Sequence, residues 1–200
     1  MTKQNTRHVP NYKLRFILLI TAALLCVLFS FAVGRFPVSI ADVIMVFATE
    51  IFKLDITWDF ATWSTVINIR LPRILAAFFV GAALATAGAA YQGMFQNPLV
   101  SPDILGASSG AGFGAALAIF MNLGPVWITA FAFAGAVICV GAAYVVSRLT
   151  KGSATLSMVL AGILVSSLFT AMTSFLKTVA DTEDQLPEIT YWLMGSLAGA

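Results

Sequence analysis

The chain has 200 residues, of which 60% are hydrophobic and 10% are charged, and its formal net charge is +2 at pH 7. Soluble domains average about 45–50% apolar and about 25% charged residues. The composition therefore excludes most soluble enzymes, strongly basic nucleic-acid binders and acidic disordered tails, and it indicates a protein that lies in a lipid bilayer.

The charged residues leave four long uncharged gaps, which predict the membrane-spanning helices in chain order. A spanning helix needs about 20 mostly apolar residues, so three gaps predict one helix each and the longest predicts two, divided at Asn122-Leu-Gly-Pro125. We predict an all-α, polytopic transmembrane helical bundle. It has a cytoplasmic tail at 1–15 and a partial transmembrane domain at 16–200, with five spans near 16–34, 74–95, 106–121, 126–147 and 153–176 and a cut-off sixth segment at 191–200.

The first span is longer than the apolar region of a signal peptide, which has about 7–15 residues, so we predict a retained helix. Lys3, Arg7, Lys13 and Arg15 precede it and favour a cytoplasmic N-terminus, because loops rich in Lys and Arg remain on the cytoplasmic side. This orientation places the predicted loop 35–73 and eight of the nine acidic residues outside.

The outer loop 35–73 is long enough to contain a helix. Ser39 and Asp42 form a candidate capping pair. The apolar residues that follow share one helical face: Ile40, Val43, Ile44, Phe47 and Ile51. Two interpretations stay open, an interfacial amphipathic helix followed by Trp58 and Trp63 at headgroup depth, or a loop helix packed on the spans.

No predicted span contains an ionisable residue. Such residues are costly in a bilayer and mark proton relays, ion sites or catalysis, so the pattern argues against a proton-coupled carrier or an intramembrane enzyme. The one histidine, His8, lies in the polar tail, and the acidic segment 181–184 is better interpreted as a solvated loop than as a metal site. We expect no catalytic residue, no metal and no cofactor.

Small residues recur every four positions on three predicted helices, which predicts faces that allow close helix packing. The stripes are Gly81, Ala85, Ala89 and Gly93; Gly106, Gly110 and Gly114; and Gly162, Ser166, Thr170 and Ser174. We favour packing over a pore-lining role for the first two stripes. The hydroxyls of the third stripe are equally compatible with the lining of a polar path.

Two polar segments flank the second span. Gln92 and the turn 96–103, with two prolines, interrupt the apolar sequence and are compatible with a gate, a docking point or a plain turn. Arg70 and Arg73 lie at its start, where the helix dipole disfavours cations, so an anionic partner or a lipid phosphate is needed to favour them.

Together these motifs resemble the permease subunit of bacterial ABC importers for ferric siderophores, haem and cobalamin, the FecCD type. The resemblance runs in order from about residue 14 to the last residue. The matching stretches are Arg70-Leu-Pro-Arg-Ile-Leu-Ala, Gly81-Ala-Ala-Leu-Ala-Thr-Ala-Gly, Gln92, Asn97-Pro-Leu-Val-Ser-Pro, Leu105-Gly-Ala-Ser-Ser-Gly-Ala-Gly, Leu160-Ala-Gly and Tyr191-Trp-Leu-Met-Gly-Ser.

The resemblance implies a permease of ten spanning helices, of which this chain resembles the N-terminal part. It also implies a homodimer around a central path, cytoplasmic ATPase subunits, an outer substrate-binding protein and a place in the bacterial inner membrane. Carried over by position, Arg70 and Arg73 match arginines that pair with acidic residues of the binding protein.

The resemblance further assigns an inner gate. Asn97, Pro98 and Leu99 match the turn that narrows the cytoplasmic end of the path, and Thr155 matches another residue of that constriction. Gln96 and Leu156 depart from the family pattern beside them. The candidate path-lining residues are Gln92, Ser166, Thr170 and Ser174.

We therefore predict a non-enzymatic permease subunit that forms the path of an iron complex, a ferric siderophore or haem, through the inner membrane, with cobalamin as the alternative cargo. The chain is shorter than the family's chain, and we expect it to be part of a longer permease. The alternative from another class is a non-transporting membrane scaffold, or a truncated permease without activity.

Overall fold

A computed structural model of the protein describes residues 12–53, 59–98, 100–150 and 153–197, and every regular element in these residues is helical. The helices are α1 (Tyr12–Ala32), α2 (Ile40–Phe52), α3 (Phe60–Ser64), a π-helical segment (Thr65–Arg70), α4 (Leu71–Phe95), α5 (Ala107–Phe120), α6 (Pro125–Leu149), α7 (Ala154–Val179) and α8 (Gln185–Met194). The predicted all-α class is confirmed. Most of the predicted tail, with His8, lies outside the described residues, as do Trp58 and Leu99.

Four helices in the described residues are long and apolar enough to cross a membrane, namely Tyr12–Ala32, Phe60–Phe95, Pro125–Leu149 and Thr155–Val179. They correspond to the first, second, fourth and fifth predicted spans. The predicted third span is a helix, but α5 has 14 residues. It is about 21 Å long at about 1.5 Å per residue, which is shorter than the ~30 Å hydrocarbon core. The bounds of α5 agree with the predicted third span, 106–121, within one residue at each end, and it is a short apolar helix.

The helix that contains the second predicted span begins at Phe60, within the predicted outer loop 35–73, and runs without a break to Phe95. The uncharged gap that begins at Ile74 predicts a start of this span after Arg73. The chain instead widens into the π-helical segment, where the Leu71 N–H bonds the Val66 carbonyl five residues back. This wide turn carries the helix past Pro72, which has no N–H to donate.

The chain divides into two compact units, of which the first contains the residues up to Phe79. Here α2 begins with the predicted capping box: the Ser39 Oγ accepts from the Asp42 N–H at 3.1 Å, and the Asp42 carboxylate accepts from the Ser39 N–H at 3.2 Å. Val43 and Val46 of α2 are buried in a cluster with Phe31 of α1. The capping box thus fixes the start of a helix that packs on α1.

The predicted apolar face of α2 is only partly right. Val43 is buried and Phe47 stacks edge-on against Phe31 at 5.3 Å between ring centroids. Ile40, Ile44 and Ile51 are exposed, and the buried Val46 was missed. One side of α2 therefore packs on its neighbours, as expected for a loop helix packed on the spans. The other side exposes apolar side chains, as expected for an interfacial helix.

The second unit, Val80–Ser196, is built around α5. A Cβ at Gly110 would lie 2.4 Å from the Gly135 carbonyl oxygen of α6, and a Cβ at Gly135 would lie 2.3 Å from the Gly110 carbonyl oxygen. A Cβ at Gly114 would lie 2.0 Å from the Phe131 oxygen. Backbone therefore packs directly on backbone between α5 and α6, which is the packing role predicted for this stripe.

The small-residue stripe of α4 behaves differently. A Cβ at Gly81 or Gly93 would meet nothing within 4 Å, and Ala85 and Ala89 are exposed. The packing role predicted for this stripe is not seen among the described residues, because no other described helix covers that side of α4.

We predict that Gly110→Ala destabilises the protein by about 1–3 kcal/mol, because the methyl group must push α5 away from α6. Helix propensity alone would change the stability in the opposite direction, by about 1 kcal/mol. Thermal unfolding in detergent, followed by tryptophan fluorescence, measures the difference.

The matched control is Gly141→Ala on α6, where a Cβ meets nothing within 4 Å. We expect an unchanged or slightly raised melting temperature for this variant. Equal melting temperatures for the two variants would contradict the close α5–α6 contact.

Candidate functional site

Arg70 is a buried cation, with 8% of its surface exposed. Its Nη1 donates to the Phe31 carbonyl and its Nη2 donates to the Phe36 carbonyl. Phe31 lies in the last turn of α1, where the carbonyls lack helical partners and carry the negative end of the helix dipole. Arg70 therefore caps the C-terminus of α1, and the anionic partner or lipid phosphate expected from the sequence stays a prediction.

The local fold positions this guanidinium in two ways. Arg70 is the last residue of the π-helical segment, and such wide turns are frequent at functional sites. Gly34, in the turn after α1, leaves the space that the side chain fills, since a Cβ there would lie 2.5 Å from the Arg70 Nη2. Any larger residue at position 34 must displace the guanidinium.

Arg70 also borders a cavity of about 360 Å³ in the first unit, together with Arg35 and Arg73. We call it the arginine cavity, and its other lining residues are Ser30, Val33, Gly34, Phe36, Thr65, Ile69 and Ile74. Arg35 and Arg73 are exposed. Three cations and no acidic residue among the lining side chains make this cavity attractive to anions.

A second cavity, of about 560 Å³, follows one side of α7. We call it the hydroxyl groove, and it is lined by Asp103, Ile104, Ile163, Ser166, Ser167, Thr170, Ala171 and Ser174. Three of the four predicted path-lining residues thus lie together. The fourth, Gln92, does not line the groove, and its Nε2 lies 3.5 Å from the Val100 carbonyl oxygen instead.

Every hydroxyl in the groove donates its proton to the backbone of α7. The acceptors lie one turn back, and the oxygen–oxygen distances are 2.6 Å for Ser166, 2.8 Å for Ser167, 2.9 Å for Thr170 and 3.0 Å for Ser174. Such bonds satisfy hydroxyls within a helix where water is scarce. The lone pairs of these oxygens remain available.

Asp103 was not predicted as a groove residue, because it lies in the turn between two predicted spans. The structure places the loop 103–106 beside the middle of α7: a Cβ at Gly106 would lie 1.9 Å from the Ser166 Oγ, and a Cβ at Gly162 would lie 2.3 Å from the Ile104 oxygen. Position 162 is roughly 12 Å along α7 from its first residue. Since α5 is short, the loop before it reaches into the bundle.

The Asp103 carboxylate is held at the start of α5. Its Oδ1 accepts from the Ser108 N–H at 2.8 Å, one of the N-terminal donors that a helix cannot satisfy internally. One feature of the sequence indicated a special role for this residue: Asp103 is the only charged residue between Arg73 and Arg148. The contact of its loop with α7 joins residues about 60 positions apart, which the sequence pattern does not show.

The predicted gate residues lie at one end of the second unit. Asn97 and Pro98 are exposed in the turn after α4, and the Asn97 N–H bonds the Gln92 carbonyl at 3.2 Å. Phe95, Val100 and Leu105 form a buried cluster against which Met158 and Val159 of α7 pack.

Thr155 is exposed about one helical turn before Met158 and Val159. The turn after α4 and the start of α7 are therefore neighbours, which is the juxtaposition that a gate between them requires. Leu99 lies outside the described residues.

We predict that Arg70→Ala lowers the free energy of unfolding by about 3–6 kcal/mol, because two carbonyls lose charge-assisted hydrogen bonds worth about 1.5–3 kcal/mol each. Arg73→Ala, at an exposed position, should cost less than about 1 kcal/mol. Gly34→Ala should reproduce part of the Arg70 loss by displacing the guanidinium. Melting temperatures of the purified variants measure all three, and equal losses for Arg70→Ala and Arg73→Ala would refute the capping role.

The comparisons with known proteins agree with this architecture. The model of the FecCD transport family matches residues 20–200. The molybdate import system permease protein MolB of Haemophilus influenzae is 35% identical over 189 residues, which are 94% of this chain and 53% of that protein. The cobalamin import system permease protein BtuC of Halobacterium salinarum is 41% identical over 134 residues, covering 66% of this chain and 36% of that protein.

A solved ABC transporter in an inward-facing conformation, provisionally assigned to the metal-chelate type, superimposes with a TM-score of 0.74 at 32% identity. The match covers 93% of this chain and 55% of that one. The chain thus spans about half the length, or less, of these proteins. The match to residues 20–200 and the shared helical fold identify the chain as a member of the FecCD transport family.

Proposed function

We propose that this chain forms part of the permease of an ATP-driven importer, with ATP hydrolysis on separate subunits. The family match over nearly the whole chain supports this function, and the hydroxyl groove is the single structural observation that carries it. A row of polar positions along one side of a helix long enough to span a membrane is what a path through a bilayer needs. The proposed location is the bacterial inner membrane, with the N-terminus cytoplasmic.

The proposed cargo is a metal complex, an iron complex such as a ferric siderophore or haem, with cobalamin as the alternative. The solved relative of the metal-chelate type and the cobalamin permease support these classes, whereas another relative is named for molybdate. The inner gate of the proposed path consists of Asn97, Pro98 and Leu99 with Thr155. The proximity of the turn after α4 to the start of α7 supports it.

For the outer substrate-binding protein, we propose docking at the arginine cavity. Both Arg70 and Arg73 were predicted to make this contact. Burial of Arg70 and its bonds to two carbonyls favour a division of roles, in which Arg73 meets acidic residues of the binding protein and Arg70 holds the cavity wall. Exposed cations at an interface rim steer association with an acidic partner.

The proposed assembly contains a second copy of the permease and cytoplasmic ATPase subunits. The exposed small-residue side of α4 supports a further protein contact, since such faces allow helices to approach closely. Only 6% of the residues in the most apolar stretch of α1 are buried, and this exposed apolar surface supports contact with lipid.

Copurification and uptake test the proposed function. The tagged protein, isolated from the membranes of its own host, should bring down ATPase subunits, and reconstituted vesicles should take up cargo only with ATP and a loaded binding protein. A protein that purifies without an ATPase and supports no uptake would favour the scaffold alternative.

We predict that Arg73→Glu weakens association with the binding protein by at least about tenfold, mainly through a slower association rate, and reduces its dependence on salt. Surface plasmon resonance on the reconstituted importer measures both rates. Lys177→Glu is the matched control, because it reverses one charge outside the arginine cavity. Unchanged association of the Arg73→Glu variant, with its melting temperature preserved, would refute the docking role.

A further inference from the structure

We propose that the arginine cavity binds an anionic phospholipid, whose phosphate is held by the guanidinium groups of Arg35 and Arg70. The lipid lies at the end of α1 away from the N-terminus, and its acyl chains cover the apolar residues of the cavity. This site goes beyond the proposed permease function, since it requires neither cargo nor ATP. The proposed docking of the binding protein uses another residue of the cavity, Arg73.

Arg70 is a buried cation whose charge is only partly compensated within the described residues. It is 8% exposed, and its hydrogen-bond acceptors are the carbonyls of Phe31 and Phe36. The dipole of α1 contributes about half a negative charge at these carbonyls. No aspartate or glutamate is found among the described residues that line the cavity. A buried charge is costly without a counter-charge, so an anion in the cavity stabilises this arginine.

The guanidinium groups offer more hydrogen-bond donors than the protein itself uses. A guanidinium carries five N–H groups in a planar fork, which matches two oxygens of a phosphate. The carbonyls of Phe31 and Phe36 take one N–H from each terminal nitrogen of Arg70, and each terminal nitrogen carries two. Arg35 lines the same cavity and is exposed, so its side chain can turn towards an anion. The two arginines together therefore provide donors for a phosphate.

The apolar part of the lining distinguishes a phospholipid from a free phosphate. Val33, Phe36 and Ile69 line the cavity and are exposed, and Ile74 lines it and is partly buried. A small water-soluble anion leaves these side chains uncovered. A phospholipid covers them with its acyl chains while its phosphate meets the arginines. The mixed lining thus favours a ligand that is anionic at one end and apolar at the other.

The cavity also lies at the depth of lipid headgroups. In α1 and the turn after it, the uncharged residues run from 16 to 34, close to the ~20 residues that cross the hydrocarbon core, so Arg35 marks its boundary. On α4 the uncharged residues begin at Ile74, directly after Arg73. The structure brings these two boundaries together in one cavity. Basic pockets between spanning helices at this depth bind anionic headgroups.

Lipid titration of the purified protein tests this site. The protein is delipidated in a neutral detergent and receives dioleoyl phosphatidylglycerol, dioleoyl phosphatidylethanolamine or inorganic phosphate. Native mass spectrometry measures the bound lipid, and the melting temperature measures the stabilisation by all three.

We expect phosphatidylglycerol to bind at least about tenfold more tightly than phosphatidylethanolamine, because the ammonium group of the second lipid offsets its phosphate next to the arginines. Inorganic phosphate should not raise the melting temperature at the concentrations at which phosphatidylglycerol does. Raising the salt concentration to about 1 M should reduce the preference for the anionic lipid, because the Debye length falls to about 3 Å.

Arg35→Gln should weaken the binding of phosphatidylglycerol by about tenfold, which is the effect of one lost charge-assisted hydrogen bond. The matched control is Lys53→Gln, which removes one exposed cation of the same unit outside the cavity. We expect this variant to bind phosphatidylglycerol as the unmodified protein does. Both substitutions are at exposed positions, so the lipid-free variants should keep their melting temperature.

Equal affinity for the two lipids overturns the inference, and so does equal binding by the Arg35→Gln and Lys53→Gln variants. Inorganic phosphate that stabilises the protein as well as phosphatidylglycerol does refutes the assignment to a lipid. If Arg35→Gln does not fold, the comparison of the three ligands on the unmodified protein still decides. Because no binding protein, ATPase or cargo is present, failure of the lipid site leaves the proposed permease function standing, and failed uptake leaves the lipid site standing.

Discussion

The backbone contact between Gly110 of α5 and Gly135 of α6 is the constraint on which the second unit depends. Each glycine leaves room for the other's carbonyl, at distances that no side chain allows. In lipid, apolar side chains gain little by association, so this close approach stabilises the bundle through dispersion and packing. It also keeps the short helix α5 inside the bundle, and the loop 103–106 then lies beside the middle of α7. The position of Asp103 in the hydroxyl groove follows from that arrangement.

A second constraint shapes both candidate sites: polar groups away from water must find partners within the protein. Arg70 meets it by donating to the carbonyls at and after the end of α1, and the groove hydroxyls meet it by donating to the turn before them. These two hydrogen-bonding arrangements give the two cavities opposite charges and opposite hydrogen-bonding character. The arginine cavity presents donors and positive charge, whereas the hydroxyl groove presents acceptors and a carboxylate. Within each unit, the local hydrogen bonds thus decide which kind of ligand the surface can bind.

Much of the candidate site was predictable from local patterns. The hydroxyl stripe of Ser166, Thr170 and Ser174 follows from a spacing of four, and the structure places all three in one groove. For Arg70 an anionic partner was predicted, whereas the structure shows two backbone carbonyls as acceptors, 34 and 39 residues earlier in the chain, where no pattern in the sequence shows them. Gln92 does not line the hydroxyl groove, since its Nε2 lies 3.5 Å from the Val100 carbonyl oxygen, and its place on the path stays a prediction.

The sequence by itself determined the membrane class, the family and four of the spanning helices, because uncharged length and motif order are properties of the chain alone. The tertiary structure decided two other features: the start at Phe60 of the helix that contains the second span, and the contact of the loop 103–106 with α7. Hydropathy measures how apolar a segment is and contains no information on what packs beside it. A π-helical turn that carries a helix past a proline, or two glycines that let backbones touch, depends on contacts between distant residues and is visible only once the chain has folded.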